Sequence, residues 1–382
     1  MGSKGFKNKQ ALLVIGGVIL FTLLLFLPFY FFRKSPELEQ KIITNLSSEL
    51  KEAWYYETLE SGWVQCSLCP NNCLLKPGQR GLCKVRENQG GKLYALNYGK
   101  LVAIHIDPIE KKPIFHMLPS STSYSVATAG CNFSCLNCQN WEISQSFPED
   151  VEYQELTPAQ VVEEAIKSGS QSIAYTYSEP VIFYEFMYET AKLAHQKGLK
   201  NIMVTNGYIN QEPLKDLLPY LDAFNVDLKG FSEEFYQKIT GGKMAPVLET
   251  LKTVSQANKV LEVTYLILPG INDSEEEIKA MSQWLLDNLG QNTILHFSRF
   301  HPDYKLQNLA PTPEATIKKA REIALAVGLK YVYTGNLYYP AGEITYCDNG
   351  SVAIARQGFI VTENNLVNGR CQDGTIIPGV WE

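Results

Sequence analysis

The chain has 382 residues, of which 45% are hydrophobic and 19% charged, with a formal net charge of -6 at neutral pH. That size allows one large domain or two moderate ones, and the composition excludes wholesale disorder. An acidic balance with no Lys/Arg-rich stripe offers no field for nucleic acid, so no nucleic-acid partner is expected.

In chain order, the first feature is Ala11–Phe32, 22 positions without a charge. As a helix this run would span roughly 33 Å, enough for a bilayer core. A secretory segment is shorter and is followed by small residues, whereas "RKSPELEQ" follows here. Residues 1–34 are therefore expected to be an uncleaved, single-pass N-terminal anchor. Lys4, Lys7 and Lys9 before the run nearly balance Arg33 and Lys34 after it, so charge does not fix topology. Residues 35–62 are charged and mildly helical, and read as a stalk.

Residues 63–120 form a Cys-rich module. Cys66, Cys69, Cys73 and Cys83 have the spacing C-x2-C-x3-C-x9-C in a stretch rich in Gly and Asn. Four thiolates imply a saturated metal site, and zinc and a second iron–sulfur cluster fit equally. Gly78 and Gly81 are expected to let the backbone turn toward it.

From 121 to 335 apolar runs alternate with helical periods. The predicted strands are Ser123–Thr128, Ser172–Ser178, Asn201–Gly207, Ala223–Lys229, Val260–Leu268 and Thr293–Phe300. "TPAQVVEEAIKSG" has Thr157 as N-cap, Pro158 at N1 and Gly169 past the end, and the logic repeats from Ser274 to Gly290 and from Thr312 to Gly328. Six strand–helix units in series predict parallel strands and an α/β partial (β/α)6 barrel, short of the eight of a closed one. Functional residues of such folds sit at the carboxyl ends of strands. Four polar clusters lie there: the cysteines after "SYSVATAG", Glu179 in "YTYSEP", Thr205 and Asn206 in "VTNGY", and Asp227 and Lys229 in "NVDLKG".

Nine cysteines, seven of them in two short clusters, argue against a disulfide framework and for metal ligation in a reducing compartment. Cys131, Cys135 and Cys138 supply three thiolates, one fewer than structural zinc or a ferredoxin cluster takes. A [4Fe–4S] cluster held there would keep one iron open. The competing reading is a zinc knuckle completed by a distant cysteine.

The C-x3-C-x2-C loop resembles the signature of the radical S-adenosylmethionine (SAM) superfamily. More widely, "CSLCPNNCLLKPGQRGLCKVRENQGGKLYALNYGK", "DPIEKKPIFHMLP", "AGCNFSCLNCQNWEISQ", "YTYSEP" and "YTGN" resemble the radical SAM member of the AmmeMemoRadiSam group, related to pyruvate formate-lyase activating enzymes. The resemblance implies a [4Fe–4S] cluster whose free iron binds SAM, and a 5′-deoxyadenosyl radical that abstracts hydrogen from a substrate. It implies Glu179 at the SAM amino group, Asp227 and Lys229 at ribose and carboxylate, and "LPGIND" (Leu268–Asp273) and His301 at other cofactor-side positions. It also implies a low-potential donor such as flavodoxin or ferredoxin, and Memo-like partner proteins. Two departures stand out. Asn137 replaces an aromatic residue that stacks near adenine. Val204 precedes "TNG" where glycyl-radical activases carry Asp, which weakens that substrate class.

In the tail, 336–382, relatives carry paired zinc-ribbon cysteines, whereas "YCDNG" and "RCQDG" hold one each, Cys347 and Cys371. A degenerate, β-rich ribbon without metal is expected. His105, His116 and His195 are expected in packing or surface roles. The chemistry places the catalytic domain in the cytoplasm, tethered to the membrane. The rival class is a membrane-anchored electron carrier, which has no use for an open iron or for Glu179, Asp227 and Lys229.

Overall fold

Seven parallel strands form the centre of the molecule, one more than the sequence pattern predicts. In the computed structural model, which describes residues 50–382, they are β1 (Thr122–Thr128), β2 (Ser172–Tyr175), β3 (Lys200–Thr205), β4 (Ala223–Asp227), β5 (Val260–Ile267), β6 (Ile294–Arg299) and β7 (Tyr331–Gly335). Each pairs in parallel with the next. Two antiparallel strands, Lys100–Pro108 and Gln154–Glu155, extend the sheet beyond β1. The added strand β7 follows the last predicted helix and carries the "YTG" of "YTGN".

Six helices make the crossovers: α1 (Pro158–Lys167), α2 (Tyr184–Gln196), α3 (Gln211–Leu217), α4 (Met244–Gln256), α5 (Glu275–Leu289) and α6 (Glu314–Val327). Local chemistry explains their starts. Thr157 and Gln160 form a capping box on α1 with Pro158 in the first turn. Ser274 caps α5 by accepting from the Glu277 amide. Thr312 behaves differently from its expected N-cap role. Its hydroxyl donates to the Ile267 carbonyl and accepts from the Phe300 amide, so it ties β5 to the end of β6 while α6 begins without a side-chain cap. Helices on one side and lumen residues on the other bury all four residues of β2, as parallel sheets require.

Before the barrel lie two three-stranded antiparallel sheets. One holds Lys51–Glu52, Lys92–Ala95 and Arg86–Gln89; the other holds Tyr56–Thr58, Val64–Cys66 and Leu74–Leu75. The end of the segment read as a helical stalk is therefore strand. After the barrel, Thr345–Tyr346, Val352–Gln357 and Ile360–Asn364 form the β-rich tail. Cys347 and Cys371 are joined as a disulfide, correcting the reading that set disulfides aside.

The expected membrane anchor is corrected as well. Among the described residues no helix is long and apolar enough to cross a membrane, and residues 1–34, where the sequence reading puts the anchor, lie outside them. The fold class of the described residues is an α/β barrel-like sheet flanked by small β modules, without the membrane-spanning helix on which the expected localisation rested.

Candidate active site

The carboxyl ends of the parallel strands surround one cavity of about 690 Å³. Its wall begins at the loop after β1, where Cys131, Cys135 and Cys138 all face it. That loop is held from several sides. Gly130 donates to the Ile143 carbonyl, Ser134 and Leu136 donate to Thr240 and Ile239, and the Gln145 side chain donates to the Phe133 carbonyl. Phe133 packs on the Tyr208 ring with centroids 4.8 Å apart. Three thiols thus project from a braced loop rather than a loose one.

Glu179, Thr205 and Asn206 form one hydrogen-bonded unit. The Glu179 carboxylate accepts from the Thr205 hydroxyl at 2.6 Å, the Asn206 amide at 2.8 Å and the Val181 amide at 3.1 Å. Burial pushes its carboxyl up to about 7, against the pull of those three donors. Asn206 in turn donates to Asn132, beside Cys131, at 2.8 Å. On the next strand end Lys229 pairs with Asp227 at 2.7 Å. Burial opposes the Lys229 charge, yet Asp227 and the neighbouring thiols hold it above the usual lysine range. Asn272 of "LPGIND" fixes this end by donating to the Lys229 and Leu266 carbonyls and accepting from the Leu268 amide.

His301 is not brought to the cavity: it is exposed on the loop beyond β6, outside the lining. His296, on β6 itself, lies there instead. It bonds Glu262 of β5 at 2.5 Å, and the same fully buried carboxylate accepts from the Phe115 and His116 amides. Sequence reasoning missed this pair, although the period-2 alternation puts His296 and Ser298 on one strand face with a strand-end rim. It also missed Lys112, buried at 2% exposure and bonded to Asp107 and Tyr177. Burial pulls Lys112 down to about 8, while Asp107 opposes that shift. The motif "DPIEKKPIFH" held the signal, because Asp107 and Lys112 are the ends of one short turn.

Burial pushes the Cys135 thiol up to about 12 and Cys131 well above the usual range, so neither ionises without a cation beside it. A bound metal reverses that preference and deprotonates a coordinating thiol outright. Three sulfurs, no histidine among them, and an adjoining cavity that also carries Glu179, Asp227 and Lys229 fit a soft-metal cluster with room for a second molecule.

The model of the Radical SAM superfamily matches residues 125–284, the span from β1 into α5. The chain carries a Radical SAM superfamily domain. An uncharacterized protein of Methanocaldococcus jannaschii is 49% identical over 318 residues, covering 83% of this chain and 95% of that one. The pyruvate formate-lyase-activating enzyme of Staphylococcus epidermidis is 23% identical over 219 residues, covering 52% and 86%. A solved domain of a pyruvate-formate lyase-activating enzyme from Bacteroides vulgatus is 17% identical with a TM-score of 0.40, covering 44% of this chain and 100% of that one. The Radical SAM domain and the likeness to activating enzymes make this chain an enzyme and imply a [4Fe–4S] cluster and SAM, and the thiol set of the Cys131 loop fits the cluster's donor requirement.

Proposed function

We propose that the chain is a radical SAM enzyme of the AmmeMemoRadiSam group that abstracts hydrogen from a protein, peptide or small-molecule substrate. The observation that carries this is the single cavity uniting Cys131, Cys135 and Cys138 with Glu179, Asp227 and Lys229. A [4Fe–4S] cluster on those three cysteines supplies the electron that cleaves SAM reductively. Glu179, held by Thr205 and Asn206, presents a fixed acceptor to the SAM amino group. The Asp227–Lys229 pair offers an acceptor to ribose hydroxyls and a cation to the SAM carboxylate. The seven strand ends wall the cavity in which such a radical would form.

An electron carrier needs no cavity of this size beside its cysteines, which disfavours the rival class. Val204 lines the cavity before "TNG", and its apolar side chain argues against the glycyl-radical activase substrate class. The group resemblance brings Memo-like proteins as partners and flavodoxin or ferredoxin as electron donor. Cys66, Cys69, Cys73 and Cys83 are assigned to a second metal.

Anaerobic reconstitution with iron, sulfide, dithionite and SAM tests the reading through 5′-deoxyadenosine. The wild type is expected to release it, and the C131A/C135A/C138A variant to release none. Cleavage of SAM persisting in that variant sinks the assignment.

A further inference from the structure

Resting on the cluster reading above, we infer that Ser144 is a positioning residue whose hydroxyl donates to the Cys138 sulfur and so sets how strong a reductant the cluster requires. The segment that follows the cysteine loop folds back on it. After Cys138 the chain makes one short helical turn, Trp141–Ser144, and the Ser144 amide closes it on the Asn140 carbonyl at 2.9 Å. Asn140 is itself anchored, its side chain donating to the Tyr177 carbonyl at 2.8 Å. Three consecutive residues then grip the loop, each by a different group. The Ile143 carbonyl accepts from the Gly130 amide at 2.9 Å, and the Gln145 side chain donates to the Phe133 carbonyl at 3.1 Å. Between them the Ser144 hydroxyl lies 3.0 Å from the Cys138 sulfur.

Chemistry fixes the direction of that bond. A thiol and a hydroxyl can each donate, but a thiolate ligand has lost its proton and only accepts. Once Cys138 is a ligand the hydroxyl must be the donor, and a hydrogen bond to a charged acceptor is stronger than one between neutral groups. Nothing competes for the proton: the hydroxyl has no other partner among the described residues, and Ser144 is 3% exposed. Cys131 is served less closely. Its sulfur accepts from the Phe133 amide at 3.4 Å and from the Asn206 side chain at 3.9 Å, an amide whose shorter bond goes to Asn132 at 2.8 Å. Among the described residues, Ser144 carries the one hydroxyl bonded to a sulfur of this loop.

The consequence is electrostatic. Hydrogen bonds to the sulfurs are among the factors that set an iron–sulfur potential. Reduction adds one negative charge to the site, and a donor aimed at a ligand sulfur stabilises the more negative level more. The Ser144 hydroxyl therefore makes the site easier to reduce. Its removal should lower the midpoint potential by about tenfold in the one-electron equilibrium, or ~59 mV. A hydroxyl that only braces the loop predicts something else: weaker loading of iron, with an unchanged midpoint in the molecules that load.

Anaerobic redox titration of the reconstituted full chain, followed by electron paramagnetic resonance without SAM, tests this. The signal to follow is the one that C131A/C135A/C138A lacks, which keeps any other metal of the chain out of the measurement. Ser144→Ala should hold wild-type iron and titrate at the lower midpoint, and Ser144→Thr, which keeps a hydroxyl, should return to the wild-type value. A wild-type midpoint in Ser144→Ala overturns the inference, as does a Thr variant shifted as far as the Ala one. If Ser144→Ala loads no iron, Ser144→Cys decides, because a thiol is the weaker donor. A lowered midpoint there supports the role of the hydroxyl, and the wild-type value overturns it. Failure of the cluster reading shows differently, as a wild type whose signal is no larger than that of the triple cysteine variant, and it takes the inference with it.

Discussion

Removing the Glu185 carboxylate should cost the protein about 4 kcal/mol, because it strands a buried cation. Glu185 is fully buried on α2, and Arg86 meets both of its oxygens, at 2.6 and 2.7 Å. The Trp54 amide donates to the same carboxylate at 2.7 Å, so three segments converge on one group. Glu185→Ala leaves the guanidinium charge uncompensated in the interior and the Trp54 amide unpaired, both large penalties. Replacing both partners with apolar residues of similar volume removes the charge together with its counterion, and often costs little. Urea unfolding of the full chain under anaerobic conditions, for Glu185→Ala, Arg86→Met and Arg86→Met/Glu185→Leu, gives the comparison. The Glu185 single variant should be the least stable of the three. If it lies within about 1 kcal/mol of wild type, the pair does not bear the energy assigned to it. A double variant losing the sum of both singles would show that the two residues are uncoupled.

Acid should weaken the fold through His116, which donates from Nδ1 to the Pro378 carbonyl and accepts at Nε2 from the Tyr333 hydroxyl. Burial pulls this imidazole down to about 4. The unfolded chain therefore binds the extra proton between about pH 6.5 and 4, and stability falls by up to about 3 kcal/mol as pH drops through that window. Unfolding midpoints across it should flatten in His116→Phe, and an unchanged slope would refute the assignment. Gly130→Ala should destabilise by about 2 kcal/mol or more, since φ is +97° and the new methyl would press on the Cys83 carbonyl and Val85. Thermal unfolding and iron content would both fall; wild-type values for both would show that the two cysteine loops do not abut. Cys347→Ser/Cys371→Ser should cost about 3 kcal/mol by loop entropy over the 24-residue separation, read from urea midpoints with and without reductant. Equal midpoints for variant and oxidised wild type would show that the bridge contributes nothing.

What was legible in the sequence was local. Ligand spacing in the two cysteine clusters, strand-end polar residues and helix caps such as Thr157 are written within a dozen residues, and the fold reproduces their placement. The floor of the cavity was not legible. The Glu262–His296 pair joins neighbouring strands across a helical crossover, and His116 meets Tyr333 and Pro378 from far along the chain. Thr312 reads locally as a cap and is captured instead by β5 and β6. The seventh strand is five residues long and was read for its motif, not its alternation. The Cys347–Cys371 bridge escaped because single cysteines in two knuckles look like a depleted metal site until the turns are seen side by side.

The floor also sets an order of events. Its residues Phe115 and His116 are clasped by Glu262 from the middle of the chain, by Arg356 through the Phe115 carbonyl, and by Pro378 and Val380 close to the last residue. Synthesis runs from the amino end, so both cysteine loops are complete long before these clasps exist. Phe115, which lines the cavity, therefore takes its final hold only once the tail is in place.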